Sequence, residues 1–167
     1  GAAAPLAIDA TAGLGEDSFL LAAAGFRVRL YERDPVIAAL LRDALARAAR
    51  DPALAPIARR MEVAGGDSLA ALAEPSLAAP APDLVYLDPM FPGRTKSAAV
   101  KKKFQLLHRL ECPCADEGAM MRAALAARPR KVVIKRPVKG PYLAGVKPSY
   151  SMPGKAVRFD VLVRPRG

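Results

Sequence analysis

The run "VYLDPMFPGRTKSAAVKKK", residues 85–103, sets a carboxylate, two prolines, an aromatic ring and a cluster of lysines within one short segment. Asp88 and a backbone carbonyl near Pro89 are hydrogen-bond acceptors, and proline gives up its own donor. Such a pocket suits the two N–H bonds of an amino group carried on a conjugated ring. That amine is a poor nucleophile, because its lone pair is delocalised into the ring. Acceptors that orient it also favour the positive charge that develops when it attacks. Phe91 offers a flat face on which a base can stack. Behind it, Lys96, Ser97, Lys101, Lys102 and Lys103 form a basic lip suited to a phosphate backbone. The plainer alternative is a strand that ends in Asp-Pro, followed by a solvated lysine run.

Three further segments carry chemistry. "DATAGLGED" places Gly13 and Gly15 after a strand that ends in Asp9 and before a helix, where small residues let the backbone approach a ligand and helix N–H groups are free. It is not the longer G-x-G-x-x-G fingerprint, since Ser18 stands at the third small position. Glu32 ends the next strand, where an acid can accept from both hydroxyls of a ribose. Asp67 follows a third strand and either accepts from an adenine amine or simply caps the helix that begins there. Turn and acid together favour a nucleoside ligand, and these positions suit NAD and S-adenosylmethionine alike.

The elements that must position these residues follow from periodicity. Strands are expected at 5–9, 26–32, 60–65, 83–88 and 130–137, alternating with amphipathic Ala/Leu-rich helices, the clearest at 36–50 with Asp34 as its cap and Pro35 in its first turn. Gly25 is expected to close the first helix, and "DPALAP" is expected to be a break. "KKFQLLHRL" and "EGAMMRAALAAR" read as helical, and "KAVRFDVLV" as the last strand of a hairpin turned at Pro153-Gly154. Repeated strand–helix units predict an α/β domain with a mainly parallel sheet and an antiparallel C-terminal hairpin at one edge. In such sheets ligands bind at the carboxyl ends of strands, where Asp9, Glu32, Asp67 and Asp88 all fall.

Composition narrows the class. The chain of 167 residues is 52% hydrophobic, which suits one domain, residues 1–167, with a real core. It has no apolar run of membrane-spanning length and no visible secretory signal. A net charge of +10, from 26 basic against 16 acidic residues, favours a polyanionic partner. Cys112 and Cys114 are poorly placed to bridge each other, so a reducing, cytoplasmic setting is the simple reading. With His108 they make too sparse a set for a metal site, and no metal is expected.

The strand-four segment "LDPMF" resembles the acid-Pro-Pro-aromatic signature of amino methyltransferases. More closely, "DATAGLGEDSFLLAAAGFRVRLYERDPVIAALLRDALARA", "VYLDPMFPGRTKSAAVKKK", "KVVIKRP" and "KAVRFDVLV" resemble the ribosomal small subunit methyltransferase J family over about residues 6–163. The resemblance implies a Rossmann-like S-adenosylmethionine-dependent methyltransferase fold. It implies methylation of the N2 amino group of one guanine in bacterial 16S rRNA, with the rRNA or the small ribosomal subunit as partner. It places cofactor contacts on Glu16, Asp17, Glu32, Arg33, Asp67, Ser68 and Asp88. Glu16 stands where an arginine is usual in that family, and Asp67 where a serine is usual. The resemblance also implies an N-terminal segment upstream of the first strand here. Lys135 and Arg136, at the end of strand five, are expected to join the RNA-binding rim.

Two other activities fit the residues. One is an amino methyltransferase acting on adenine or cytosine of DNA or RNA. The other is a nucleic-acid-binding module with a vestigial cofactor cleft, against which Gly13, Gly15, Glu32 and Asp88 argue. A dehydrogenase fits poorly, because nothing supplies a hydride-transfer acid or base and His108 falls in an expected helix away from the strand ends.

Overall fold

The computed structural model describes residues 3–74, 81–89 and 116–164. Seven strands form one sheet in the order β3-β2-β1-β4-β5-β7-β6. Five are mutually parallel: β1 (Leu6–Asp9), β2 (Arg27–Leu30), β3 (Met61–Val63), β4 (Leu84–Leu87) and β5 (Lys131–Pro137). The last two, β6 (Tyr150–Pro153) and β7 (Val157–Val163), run antiparallel. The hairpin enters the sheet by its second strand: β7 pairs with β5 along its whole length, and β6 forms the outer edge.

The helices are α1 (Glu16–Ala23), α2 (Pro35–Ala48), α3 (Ala55–Ala58), α4 (Ser68–Ala73) and α5 (Glu117–Ala126), with a 3₁₀ turn at Leu143–Gly145. Their ends follow local chemistry. Gly25, at φ 102°, closes α1 in a Schellman arrangement, its N–H donating to Ala22 O and that of Phe26 to Leu21 O. Asp34 caps α2 by accepting from the N–H groups of Val36 and Ile37. The expected break at 51–56 holds one helical turn, α3. Asp51 organises its entry by accepting from Ala53 N and Leu54 N, and Pro56 falls in the first turn, where its missing N–H costs nothing.

Two apolar layers cover the sheet. Ile8, Val85, Leu87, Val132 and Ile134 face α4, α5 and Leu143. Ala7, Val28, Leu30, Leu84 and Tyr86 face α1 and α2. Strand β4 is buried at every position, as a central parallel strand should be. From β1 the chain runs outward through β2 and β3, then returns to the other side of β1 for β4 and β5. The order therefore reverses between β1 and β4, and their carboxyl ends form the topological switch point, where sheets of this kind bind ligands. Among the described residues no helix is long and apolar enough to cross a membrane.

Candidate active site

The switch point is built on the turn after β1. Asp9 ends that strand with its side chain inside the protein, at 1% exposure. One oxygen accepts from Thr11 N at 3.0 Å and the other from the Ser18 hydroxyl on α1. Burial pushes the Asp9 carboxyl up to about 6. The bonds from Ser18 and Thr11 pull it down, and the neighbouring Asp17 and Asp88 push it further up. Asp9 thus organises the turn from within. The expected direct contact to a cofactor is corrected, because its oxygens are turned into the fold.

Gly13 and Gly15 both take positive φ, 52° and 80°. Gly15 is needed for packing as much as for approach: a Cβ there would lie 2.7 Å from Leu41 Cδ1 of α2. The turn is strapped to the end of β2 by Glu32. Its Oε2 accepts from Gly13 N at 3.0 Å and its Oε1 from Asp34 N at 2.7 Å. Each carboxylate oxygen keeps acceptor capacity for a further donor. Glu16 and Arg33 are exposed beside these groups. Asp67 is exposed at the end of β3 and caps α4 by accepting from Leu69 N at 2.9 Å, while Ser68 is buried.

Asp88 follows β4 on the opposite side of the turn. Its backbone N–H donates to Thr11 Oγ1 at 2.7 Å, which locks the ends of β1 and β4 together. Its Oδ2 lies 3.0 Å from Lys135 Nζ. The same ammonium lies 2.7 Å from Asp17 Oδ2 in the first turn of α1, and Asp17 also accepts from the Tyr86 hydroxyl at 2.8 Å. Burial, and then the bond to Asp17, raise Tyr86, so the phenol stays protonated. For Lys135, burial opposes the charge, but the bonds to Asp17 and Asp88 outweigh it and its pKa is raised.

Lys135 and Arg136 part company here. Period two along β5 puts them on opposite faces of the sheet. Lys135 joins the carboxylates on the α1 face, its side chain only 19% exposed. Arg136 is 1% exposed on the α5 face, where it donates to Pro141 O at 2.9 Å and pairs with Glu117 at 3.2 Å. The expectation that Arg136 meets RNA is therefore corrected: a guanidinium enclosed in this way does not reach a phosphate. Lys135, expected on the same rim, has its ammonium paired with the carboxylates of Asp17 and Asp88.

The structure thus brings together Asp9, Gly13, Gly15, Asp17, Glu32 and Asp88, with Pro89 buried beside the last. Phe91, Lys96, Lys101, Lys102 and Lys103, and with them His108, Cys112 and Cys114, lie outside the described residues. Sequence reasoning missed Thr11, Ser18 and Tyr86. Tyr86 carried a faint signal, a hydroxyl within an otherwise apolar central strand.

A mainly parallel sheet that reverses order at β1 and β4, with a glycine turn, a strand-two acid and an Asp-Pro at the switch point, defines the Rossmann-like methyltransferase class. Comparison with known proteins places the chain within it. Residues 1–164 match the family model described as "Putative SAM-dependent methyltransferase", and the chain belongs to that family. It is 51% identical over 157 residues to the ribosomal RNA small subunit methyltransferase J of Pseudomonas aeruginosa (strain UCBPP-PA14), a match covering 94% of this chain and 59% of the relative. It is also 51% identical over 162 residues to the protein of the same name from Thioalkalivibrio sulfidiphilus, covering 95% and 62%. The chain therefore spans about three fifths of the length of these relatives. A solved SAM-dependent methyltransferase from Neisseria gonorrhoeae is 37% identical with a TM-score of 0.76, covering 95% of this chain and 65% of that one. The rRNA methyltransferase aviRa of Streptomyces viridochromogenes, at 18% identity and a TM-score of 0.61, shares the fold.

Proposed function

We propose that this chain, acting as one catalytic domain over residues 1–167, methylates the exocyclic N2 amino group of a guanine in bacterial 16S rRNA in the cytoplasm. The observation that carries the reading is Asp88, pinned at the topological switch point through its backbone by Thr11 and through its carboxylate by Lys135. The 51% identity to proteins named for the small-subunit rRNA supports the substrate class, and the net charge of +10 suits a polyanion.

The donor set fits S-adenosylmethionine. Glu32 keeps acceptor capacity for the two ribose hydroxyls after binding Gly13 N and Asp34 N. Exposed Asp67 can take the adenine amine, and the first turn of α1, with Glu16 and Asp17, would hold the amino-acid end. Glu16 opposes the cofactor's carboxylate, and Arg33 and Ser68 complete the expected lining. When bound, the cofactor supplies an electrophilic methyl group on a sulfonium.

Asp88 and the carbonyl near Pro89 accept the two N–H bonds of the target amine and hold its nitrogen in line. Asp88 then takes the proton that the nitrogen sheds. Phe91 stacks on the base, and Lys96, Lys101, Lys102 and Lys103 hold the phosphate backbone.

The test is methylation of small ribosomal subunits with labelled S-adenosylmethionine, followed by identification of the modified nucleoside. N2-methylguanosine is expected, and label in adenine or cytosine would overturn the substrate. Asp88→Ala should lower transfer by about 100-fold or more while the fold persists, with cofactor affinity measured in parallel. Near-normal turnover would remove Asp88 from the reaction.

A further inference from the structure

We infer that Lys135 is a positioning residue for methyl transfer, its ammonium bridging Asp17 and Asp88 so that the Asp88 carboxylate is held in one orientation. This rests on the reading of Asp88 given above.

Three carboxylates converge on the turn after β1: Asp9 from β1, Asp17 from α1 and Asp88 from the end of β4. The Tyr86 hydroxyl of β4 faces the same cluster, and Lys135 is the cation that the geometry sets among them. Asp9 is pushed up partly by Asp17 and Asp88, so these acids sense one another. Like charges this close repel one another, and a cation between them holds them in place. An ion pair that only fastened β5 to α1 would need Asp17 alone, at 2.7 Å. The second arm, 3.0 Å to Asp88 Oδ2, falls on the carboxylate assigned to the amine. It engages one oxygen and stops the carboxylate turning, while the remaining lone pairs stay available to an N–H donor.

The experiment compares purified wild type with Lys135→Met and Lys135→Arg, all confirmed folded by circular dichroism. The first readout needs no cofactor: the orientation of the Asp88 carboxylate in crystal structures of the three proteins. In Lys135→Met the Asp88 carboxylate should leave its wild-type orientation or take more than one, and in Lys135→Arg it should keep a single one. The second readout is methylation of small ribosomal subunits from a strain lacking the enzyme. For Lys135→Met, kcat should fall by about 30- to 100-fold. The KM for subunits and the salt dependence of RNA binding should be unchanged, and Lys135→Arg should recover part of the rate. An Asp88 carboxylate that keeps its single wild-type orientation in Lys135→Met overturns the inference, as does an unchanged kcat. A flattened salt dependence with normal kcat overturns it too, by returning Lys135 to the RNA rim. Wild type inert on the subunits would sink the substrate reading, and the Asp88 orientation would then decide the role of Lys135 alone.

Discussion

Replacing Glu32 with alanine should damage the protein twice, and the two effects can be separated. In the free protein its carboxylate accepts from Gly13 N at 3.0 Å and from Asp34 N at 2.7 Å, tying the glycine turn and the entry to α2 onto the end of β2. A hydrogen bond to a charged group contributes roughly 1.5–3 kcal/mol, and Glu32 is only half-buried, so the lower end applies to each. Loss of both should cost about 2–3 kcal/mol. At about 2–4 °C per kcal/mol for a chain of this size, the Tm should fall by roughly 5–10 °C. Glu32→Gln keeps one acceptor oxygen but sets an amide donor against the other N–H, so it should retain about half of the stability. The second effect is on the cofactor. Ribose hydroxyls left without their ionised acceptor should cost about 1–3 kcal/mol, or roughly 5- to 150-fold in Kd. Thermal melts of the free protein measure the first effect, and calorimetry with S-adenosylhomocysteine below the variant's melting range measures the second. An unchanged Tm would refute the structural strap. Wild-type affinity in a destabilised variant would refute the ribose assignment while leaving the strap intact.

The Asp9 carboxyl, raised to about 6, should make stability fall as pH rises from about 4 to about 6, because the unfolded chain loses this proton first. The penalty should be complete above about pH 6 and on the order of 2–3 kcal/mol. Asp9→Asn keeps an oxygen for Thr11 N and can offer its amide to Ser18, so denaturant melts across this range should lose that slope. An undiminished slope in the variant would exclude Asp9 as its source. Replacing Lys101, Lys102 and Lys103 with Gln should weaken RNA binding and reduce its salt slope by about 0.7 per lost phosphate contact, with cofactor affinity unchanged. An unchanged slope would show that these lysines do not meet phosphates.

Five parallel strands, the glycine turn, the strand-two acid and the Asp-Pro at the end of β4 could all be read directly from the sequence. Each is announced by neighbours a few positions away: an apolar run, a pair of glycines, a proline after an acid. Among the described residues periodicity also showed where the α-helices lie, missing the single turn α3 behind Asp51, while the expected helix "KKFQLLHRL" lies outside the described residues. The insertion of β7 between β5 and β6 could not be read in this way, because a hairpin's local pattern does not say which of its strands meets the sheet. The linkages within the site were hidden for a related reason. Thr11 and Asp88 are 77 positions apart, and Asp17 and Lys135 are 118 apart. Asp9 looked like a ligand contact and proved to be an internal brace. Lys135 and Arg136 are adjacent in the chain, and composition made them equivalent cations at a basic rim. The pleat of β5 sends one toward α1 and its carboxylates and the other toward Glu117. Residue types and their local spacing determined which chemistry this chain can carry. Only the sheet, by bringing the ends of β1, β4 and β5 side by side, decided which charges neutralise one another inside it.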